Sequence, residues 1–269
     1  MNRENTAQPP TAKRLVLSLL SAPDMHEVSI ALLVNWGELF GIDPATLRVT
    51  VGRLTRQGLL ASTRRGVYHI GPRGQLIAEK ARSWVAVEQR VAPWRGQWIL
   101  VHAGHLGRTN RTALRMRERA FRLNGFVEYV AGLWLRPANL AEPLTGTRTS
   151  LLALGLEPAA VMSLASELPG VEDQELFALW PRVDIEAAYR LHLEAMQRST
   201  ARLPKLELAE AARETIEVGE AVIRQINADP LLPTPMINAA ARQTMIEHML
   251  EYDKLGRETW RRYIAEFAG

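Results

Sequence analysis

Residues 29 to 70 constrain the fold of this chain most, because they combine an apolar helix, a short turn and a second, basic helix. In the first segment, Ser29 to Phe40, apolar residues recur near the 3.6-residue period of a buried helix face. Gly41 suits the end of that helix, since glycine adopts the left-handed conformation without steric cost, and Asp43-Pro44 offers an N-cap and a first residue for the next. Two helices so close in sequence must cross sharply, which predicts a helix-turn-helix.

The second helix has one apolar stripe and one basic face. Leu47, Val51 and Leu54 share the stripe, and no acidic residue lies on or beside the opposite face. Guanine edges and phosphates in a DNA major groove are hydrogen-bond acceptors, which Arg and Thr contact and carboxylates would repel. We therefore expect this helix to contact DNA through Thr46, Arg48, Val49, Thr50, Gly52, Arg53 and Arg56.

Two short β-prone runs follow, Leu59 to Thr63 and Val67 to Ile70, joined by a turn that contains Arg64, Arg65 and Gly66. We predict that this hairpin is the wing of a winged helix-turn-helix, with two arginines at its tip that suit phosphates or the minor groove. The alternative is a chance pattern in a helical protein with solvated charges. The agreement of cap, glycine, stripe and hairpin favours DNA binding.

Composition limits the class of protein. A chain of 269 residues with 47% hydrophobic content is long enough for two or three domains. The sequence contains no cysteine, which removes disulfides, thiolate zinc sites and cysteine nucleophiles and is compatible with a reducing cytoplasm. It contains no apolar run long enough to span a membrane, and Met1 to Pro10 is polar rather than signal-like. We expect a soluble, cytoplasmic protein that does not enter a membrane.

Charge is distributed unevenly along the chain. Between Pro44 and Arg122 there are sixteen Lys and Arg residues but only three Glu, whereas the remainder is net acidic. This asymmetry suggests that one part of the protein faces a polyanion, with a solvated basic face as the alternative.

Three domains are predicted within an α+β, mostly α fold. Residues 1–92 form the winged helix-turn-helix domain with a linker helix over Gln75 to Val91. Residues 93–180 alternate between β-like and helical segments, with one strand expected over Phe126 to Leu135, which is consistent with a small ferredoxin-like α+β domain. Residues 181–269 form a helical domain, with helices expected at 184–203, 207–227 and 238–267.

Several strings, in this order, resemble the PaaX-type regulators, a repressor family named for phenylacetic-acid catabolism. The likeness spans most of the chain, and it is carried by residues 47–54 with Gly58-Leu59, Arg64-Arg65-Gly66 with Tyr68, Arg95-Gly-Gln-Trp98, Gly132-Leu-Trp-Leu-Arg-Pro137 and Asp229-Pro-Leu-Leu-Pro233. The resemblance implies a GntR-like winged helix, a Cas2-like middle domain and a helical C-terminal domain. It also implies a repressor that an aryl-CoA thioester releases from DNA.

The sequence offers no enzymatic constellation. It contains no nucleophile elbow, HExxH, P-loop, GxGxxG or paired metal carboxylates, so we expect no enzyme, no catalytic residue, no metal and no resident cofactor. His102 and His105 form an HxxH sequence at the end of a predicted strand. Metal binding is one interpretation of this pair. The alternatives are polar residues at a strand end or a contact with a ligand. A Cas2-like nuclease would need a carboxylate where this strand ends in Val101 to His105, and its absence argues against metal-dependent hydrolysis.

A CoA thioester needs cations for its phosphates and an apolar or aromatic wall for its acyl and adenine parts. The residues predicted to supply them are Arg108, Arg111, Arg115 and Trp134, with a solvated helix face and a core tryptophan as the alternatives.

The residues predict a sequence-specific transcriptional regulator that binds double-stranded DNA. The resemblance implies that it represses an aromatic-acid (such as phenylacetate) or related catabolic operon and responds to a small-molecule effector. We expect a homodimer on an imperfect inverted repeat, because one wing domain reads too few base pairs, and the C-terminal helices are the expected dimer surface. The alternative is an RNA-binding or nuclease-like protein that uses the basic middle domain.

Overall fold

The computed structural model describes residues 10–21, 25 and 27–268. The fold is mostly helical α+β with two small antiparallel sheets, which confirms the predicted class. The chain divides into two compact units, one containing Met1–Val85, His192–Ile223 and Glu247–Gly269, the other Ala86–Leu191 and Arg224–Ile246. The division into three domains stays a prediction. Among the described residues, no helix has the length and apolar character needed to cross a membrane.

The elements of the first unit follow one another closely in sequence. They are α1 (Ala12–Leu20), β1 (Val28–Ser29), α2 (Ile30–Leu39), α3 (Pro44–Arg56), β2 (Leu60–Arg64), β3 (Val67–Ile70) and α4 (Pro72–Arg82). A 3-10 segment follows at Ser83–Arg90, and its residues are divided between the two units after Val85. The second unit contains β4 (Trp98–His102), α5 (Arg111–Leu123), β5 (Val127–Val130), β6 (Leu133–Pro137), α6 (Leu144–Ala153), β7 (Val161–Ala165) and α7 (Asp173–Phe177). Three long helices, α8 (Arg182–Arg202), α9 (Leu208–Ala228) and α10 (Ala239–Ala268), contribute residues to both units.

The ends of α2 and α3 are set by the residues that the sequence indicated. Gly41 has a positive φ of 68°, which ends α2 and its following turn, as predicted. The Asp43 side chain accepts a hydrogen bond from the Thr46 backbone N–H at 2.9 Å, with Pro44 in the first turn, so the predicted N-cap is confirmed.

A glycine lets α2 and α3 pack closely. A Cβ added to Gly37 would lie 2.8 Å from Leu47 Cδ1, so no larger residue fits on this face of α2 without displacing the leucine. Leu47, Val51 and Leu54 are all buried, which confirms the predicted stripe of α3. The packing of α2 therefore determines which face of α3 points outward.

The first sheet has the order β1-β3-β2, with both pairs antiparallel. Its β2–β3 hairpin is the one predicted from sequence. Strand β1 was not predicted, because its two residues are too short to show an alternating pattern.

The second sheet has the order β5-β6-β4-β7, also antiparallel throughout. Its core contains Ile99 and Val101 of β4 together with Phe121 of α5 and Leu151 of α6. The single strand predicted over Phe126 to Leu135 is wrong, because the chain turns at Gly132 and forms the β5–β6 hairpin. A Cβ on Gly132 would lie 2.3 Å from Gly104 Cα, so this turn packs directly against backbone.

Parts of the C-terminal helices belong to the core of the first unit. Trp260 of α10 packs edge to face on Trp36 of α2, with ring centroids 5.6 Å apart. Arg14 of α1 forms an ion pair with Glu220 of α9 at 2.8 Å. Residues 192–223 and 247–268 therefore stabilise the N-terminal helices directly.

The two faces of α3 predict opposite responses to truncation. Leu54→Ala should lower the free energy of unfolding by about 2–5 kcal/mol, because it removes a fully buried side chain. Val49→Ala should change it by less than about 0.5 kcal/mol, because Val49 is 68% exposed. Urea unfolding followed by circular dichroism measures both, and equal losses in the two variants would contradict this orientation of α3.

Candidate nucleic-acid interface

The outward surface of α3 carries most of the residues predicted to contact DNA. Those exposed are Thr46, Arg48, Val49, Gly52, Arg53 and Arg56, which we call the α3 outer face. They are the positions between the buried residues of the stripe, so one continuous polar and basic strip follows the helix.

Thr50 is a correction to the predicted set. Its side chain is buried, with only 6% of its surface exposed, so its placement on or beside the outer face is wrong. Thr50 follows Leu47 by three residues and precedes Leu54 by four, and this spacing puts it inside the buried stripe. It cannot contact DNA bases without a rearrangement of α3.

The two arginines of the hairpin tip, Arg64 and Arg65, are also exposed. The Ile30 backbone N–H donates to the Gly66 carbonyl at 2.8 Å and ties the tip to the start of α2. Gly66 has a φ of 77°, a left-handed conformation that glycine adopts at low cost. At the other end, Arg73 Nη1 donates to the Gln57 carbonyl at 3.1 Å and holds the C-terminus of α3. Helix and hairpin are thus both anchored to the same unit.

Among the residues that the structure describes, the arginines of this surface have no partner for their charge. Within the described part of the chain, no ion pair or side-chain hydrogen bond involves the guanidinium groups of Arg48, Arg53, Arg56, Arg64 or Arg65. Arginines elsewhere in the same unit are paired, such as Arg14 with Glu220 and Arg213 with Glu217. An anion that approaches this surface therefore displaces only water.

Gly52 lies in the middle of α3 with free space in front of it. A Cβ built on Gly52 would meet no atom within 4 Å, so packing within the chain does not require glycine here. A glycine in a helix interior costs about 0.8–1 kcal/mol relative to alanine. The bare backbone at this position is suited to close approach by a partner.

The residues predicted to bind an effector do not all come together. Trp134 is buried and stacks on Phe121 with ring centroids 4.5 Å apart, as expected for the alternative prediction of a core tryptophan. Trp134 and Arg108 both line a cavity of about 110 Å³. Arg111 and Arg115 are exposed and do not line it.

Arg117, which sequence reasoning missed, is the buried arginine of this region. Its guanidinium donates to both carboxylate oxygens of Glu157, at 3.1 and 2.9 Å, and to the carbonyls of Ala103 and Gly107, each at 3.1 Å. The only signal was its spacing, since Arg117 shares a helix face with buried Ala120 and Phe121. Its bonds fix the loop after β4, so its role is structural.

His102 and His105 do lie together, with their Nδ1 atoms 3.3 Å apart. His105 Nε2 lies 2.9 Å from the Ala159 carbonyl, which favours a proton on that nitrogen and leaves His105 Nδ1 to accept a hydrogen bond from His102. Among the residues that the structure describes, no group of three His, Asp or Glu side chains has the proximity needed to hold a metal ion.

Two of the strings that resemble the PaaX-type regulators meet in the second unit. Arg136 Nη2 donates to the Pro230 carbonyl at 3.3 Å, and Asn139 Nδ2 donates to the Leu231 carbonyl at 2.6 Å. Burial, together with the nearby positive charge of Arg90, lowers the pKa of the Arg136 guanidinium to about 10. These residues hold the loop that begins at Asp229.

The same loop is bound from its other side. Asp229 accepts hydrogen bonds from the Tyr189 hydroxyl at 2.5 Å and from the Leu231 backbone N–H at 2.7 Å. Burial raises the pKa of both the Tyr189 hydroxyl and the Asp229 carboxyl. Arg242, itself paired with Glu88 at 2.9 Å, donates to the Leu232 carbonyl. The loop is therefore a structural element and not an exposed binding motif.

No protein-family model and no curated protein sequence matches this chain. Among solved structures, the uncharacterized protein Rv0674 from Mycobacterium tuberculosis is similar, with a TM-score of 0.64 and 22% sequence identity. The similarity covers 93% of this chain and 99% of that one. The two proteins therefore share a fold over nearly their whole lengths.

Proposed function

We propose that this protein is a sequence-specific transcriptional regulator that binds double-stranded DNA, acting as a homodimeric repressor in the cytoplasm. The observation that carries the proposal is the set of exposed arginines on the α3 outer face and the hairpin tip, whose charges have no partner among the described residues. Unpaired, outward arginines on rigid elements are the arrangement expected at a DNA interface.

The order of the first elements supports a winged helix-turn-helix. Helices α1, α2 and α3 precede the β2–β3 hairpin, so α3 takes the place of the recognition helix and the hairpin that of the wing. In the second unit, the order β5-β6-β4-β7 with α5 and α6 supports the ferredoxin-like, Cas2-like assignment.

The chemistry of α3 suits a major groove. Arg48 and Arg53 have the forked donors that pair with guanine O6 and N7, and the Val49 side chain suits a thymine methyl group. Thr46 and Arg56, nearer the ends of α3, suit phosphates, and the open backbone at Gly52 permits close approach. Arg64 and Arg65 then contact phosphates or the adjacent minor groove.

The assignment to a PaaX-type repressor rests on the resemblance of sequence strings. In this proposal the regulated genes belong to an aromatic-acid or related catabolic operon, and an acyl- or aryl-CoA thioester relieves repression. A gel-shift assay with a panel of these thioesters tests the effector. If none of them releases the protein from DNA, the proposed thioester effector is wrong and the proposed regulator still stands.

One observation favours a second candidate, an RNA-binding or nuclease-like protein that uses the middle domain. Helix α5 exposes Arg111, Arg115 and Arg119, which have no partner among the described residues. These arginines form a second basic strip, on the other unit.

Salt dependence and two sets of variants separate the candidates. Binding to a labelled duplex from the region upstream of the protein's own coding sequence should weaken with a log-log slope of about −5, since Arg56, Arg64 and Arg65 of both subunits would neutralise about six phosphates and each contributes about −0.9. Arg64→Ala should reduce the magnitude of that slope by about 1.8, because the dimer loses two such contacts. Arg53→Ala should cost about 1–3 kcal/mol on the preferred duplex and relax its specificity. Fluorescence anisotropy at several salt concentrations measures all three.

The matched control is Arg262→Ala, which removes an exposed arginine from α10 and should leave duplex binding unchanged. Duplex binding that survives Arg53→Ala and Arg64→Ala but is lost in Arg111→Ala and Arg115→Ala would favour the second candidate. Absence of specific duplex binding in the unmodified protein would overturn the proposal that it is a transcriptional regulator.

Gly52 gives an independent prediction. Gly52→Ala should raise the free energy of unfolding by about 0.5–1 kcal/mol, because alanine favours the helix and its Cβ meets no atom of the chain. The same variant should bind the duplex about tenfold more weakly, or about 1.4 kcal/mol, if the DNA backbone approaches this position. Thermal unfolding and anisotropy measure the two effects, and unchanged affinity would show that DNA does not come close to Gly52.

A further inference from the structure

We infer that a cavity inside the first unit binds a small amphipathic anion, a ligand with an apolar body and one anionic end group. The cavity has a volume of about 490 Å³ and lies between α1, the segment that follows α4, α9 and α10. All of its lining residues belong to the same unit. Its volume falls in the range of about 300–1,000 Å³ that is usual for ligand sites.

The walls of the cavity select an apolar body. Leu19 of α1, Trp84 of the 3-10 segment, Ile216 of α9 and Met249 and Trp260 of α10 supply aliphatic and aromatic surface. Such walls bind by removing apolar ligand surface from water, which suits a hydrocarbon chain or an aromatic ring.

Two glycines in helix interiors keep the cavity wide. A Cβ on Gly219 would lie 3.5 Å from Met249 Cε, and one on Gly256 would lie 3.4 Å from Thr215 Cβ. These are ordinary or nearly ordinary contact distances, so packing between α9 and α10 would accept an alanine at Gly219. Both glycines line the cavity, where every added side-chain atom would occupy ligand space.

The charges around the cavity select an anion. Both of its carboxylates are bound by arginines: Glu220 by Arg14 at 2.8 Å, and Asp253 by Arg257. Arg82 also lines the cavity, is exposed, and makes no ion pair within the described residues. A carboxylate, sulfonate or phosphate group on the ligand would pair with Arg82, whereas a cation would meet acids that already have partners.

The position of the cavity connects it to the proposed DNA interface. Leu19 and Ser18 belong to α1, which packs on α3, and Trp260 packs on Trp36 of α2. A ligand that favours one arrangement of α1 and α10 therefore changes DNA affinity, and DNA changes ligand affinity by the same factor. This coupling rests on the proposed function, whereas binding of the anion does not.

A matched pair of fluorescent probes tests the site. 8-Anilino-1-naphthalenesulfonate is an aromatic anion, and N-phenyl-1-naphthylamine has the same rings without the charge. The full-length protein should bind both probes, the sulfonate about tenfold more tightly because one ion pair is added. Arg82→Ala should remove that tenfold preference and leave the affinity for the neutral probe unchanged. Arg262→Ala, the exposed arginine outside the cavity, should change neither affinity.

A second pair of variants blocks the cavity itself. Ser18→Trp and Val85→Trp each add a large side chain from an exposed lining position, so neither removes core contacts. Each variant should weaken the binding of both probes at least tenfold, while its circular dichroism spectrum and melting temperature stay close to those of the unmodified protein. Probe binding unchanged in both folded variants would overturn the site. Equal loss of the two probes in Arg82→Ala would overturn the selection for an anion.

A third measurement distinguishes failure of this inference from failure of the proposed function. Duplex affinity is measured with and without the sulfonate probe, and sulfonate affinity with and without the duplex. Equal and reciprocal changes support the coupling. DNA binding without probe binding overturns the cavity as a ligand site and leaves the regulator, whereas probe binding without DNA binding overturns the regulator and leaves the site.

Discussion

The close contact between α2 and α3 is the constraint on which the proposed interface depends. Gly37 leaves room for the Leu47 methyl group, and Leu47, Val51 and Leu54 are all buried. Once that stripe is buried, helical geometry leaves no freedom in which residues point outward. The arginines of α3 are therefore exposed because of a packing requirement on its opposite face, and no carboxylate among the described residues pairs with them.

Local features of the sequence predicted this region well, and they failed where a signal depends on distant residues. The Asp43 cap, the left-handed Gly41 and the buried stripe act within a few residues, so their patterns are visible in the chain. Thr50 was misplaced because a small polar residue beside an apolar stripe carries no strong signal of burial. Arg117 looked like any arginine of a basic helix, since its partner Glu157 lies 40 residues away.

The sequence also did not reveal that the first unit is completed by residues far along the chain. Trp36 meets Trp260, and Arg14 meets Glu220, across more than two hundred residues. Helical periodicity indicates that a helix has an apolar face but does not identify the partner of that face. The cavity has the same origin, because its walls come from helices at opposite ends of the sequence. The sequence accordingly predicts effector contacts in the middle of the chain, where the basic residues are concentrated.

Ser29 connects the small sheet, the start of α2 and the hairpin within the first unit. It pairs with Val67 in the small sheet, and its side chain accepts the Leu32 backbone N–H at the start of α2, while the next residue bonds to Gly66 beside the hairpin tip. This short stretch of backbone therefore links the hairpin to α2, which packs on α3. The distance between α3 and the hairpin tip is constrained as a result. In the proposed function, a duplex that contacts both surfaces must match that distance, so shape contributes to recognition in addition to chemical contacts.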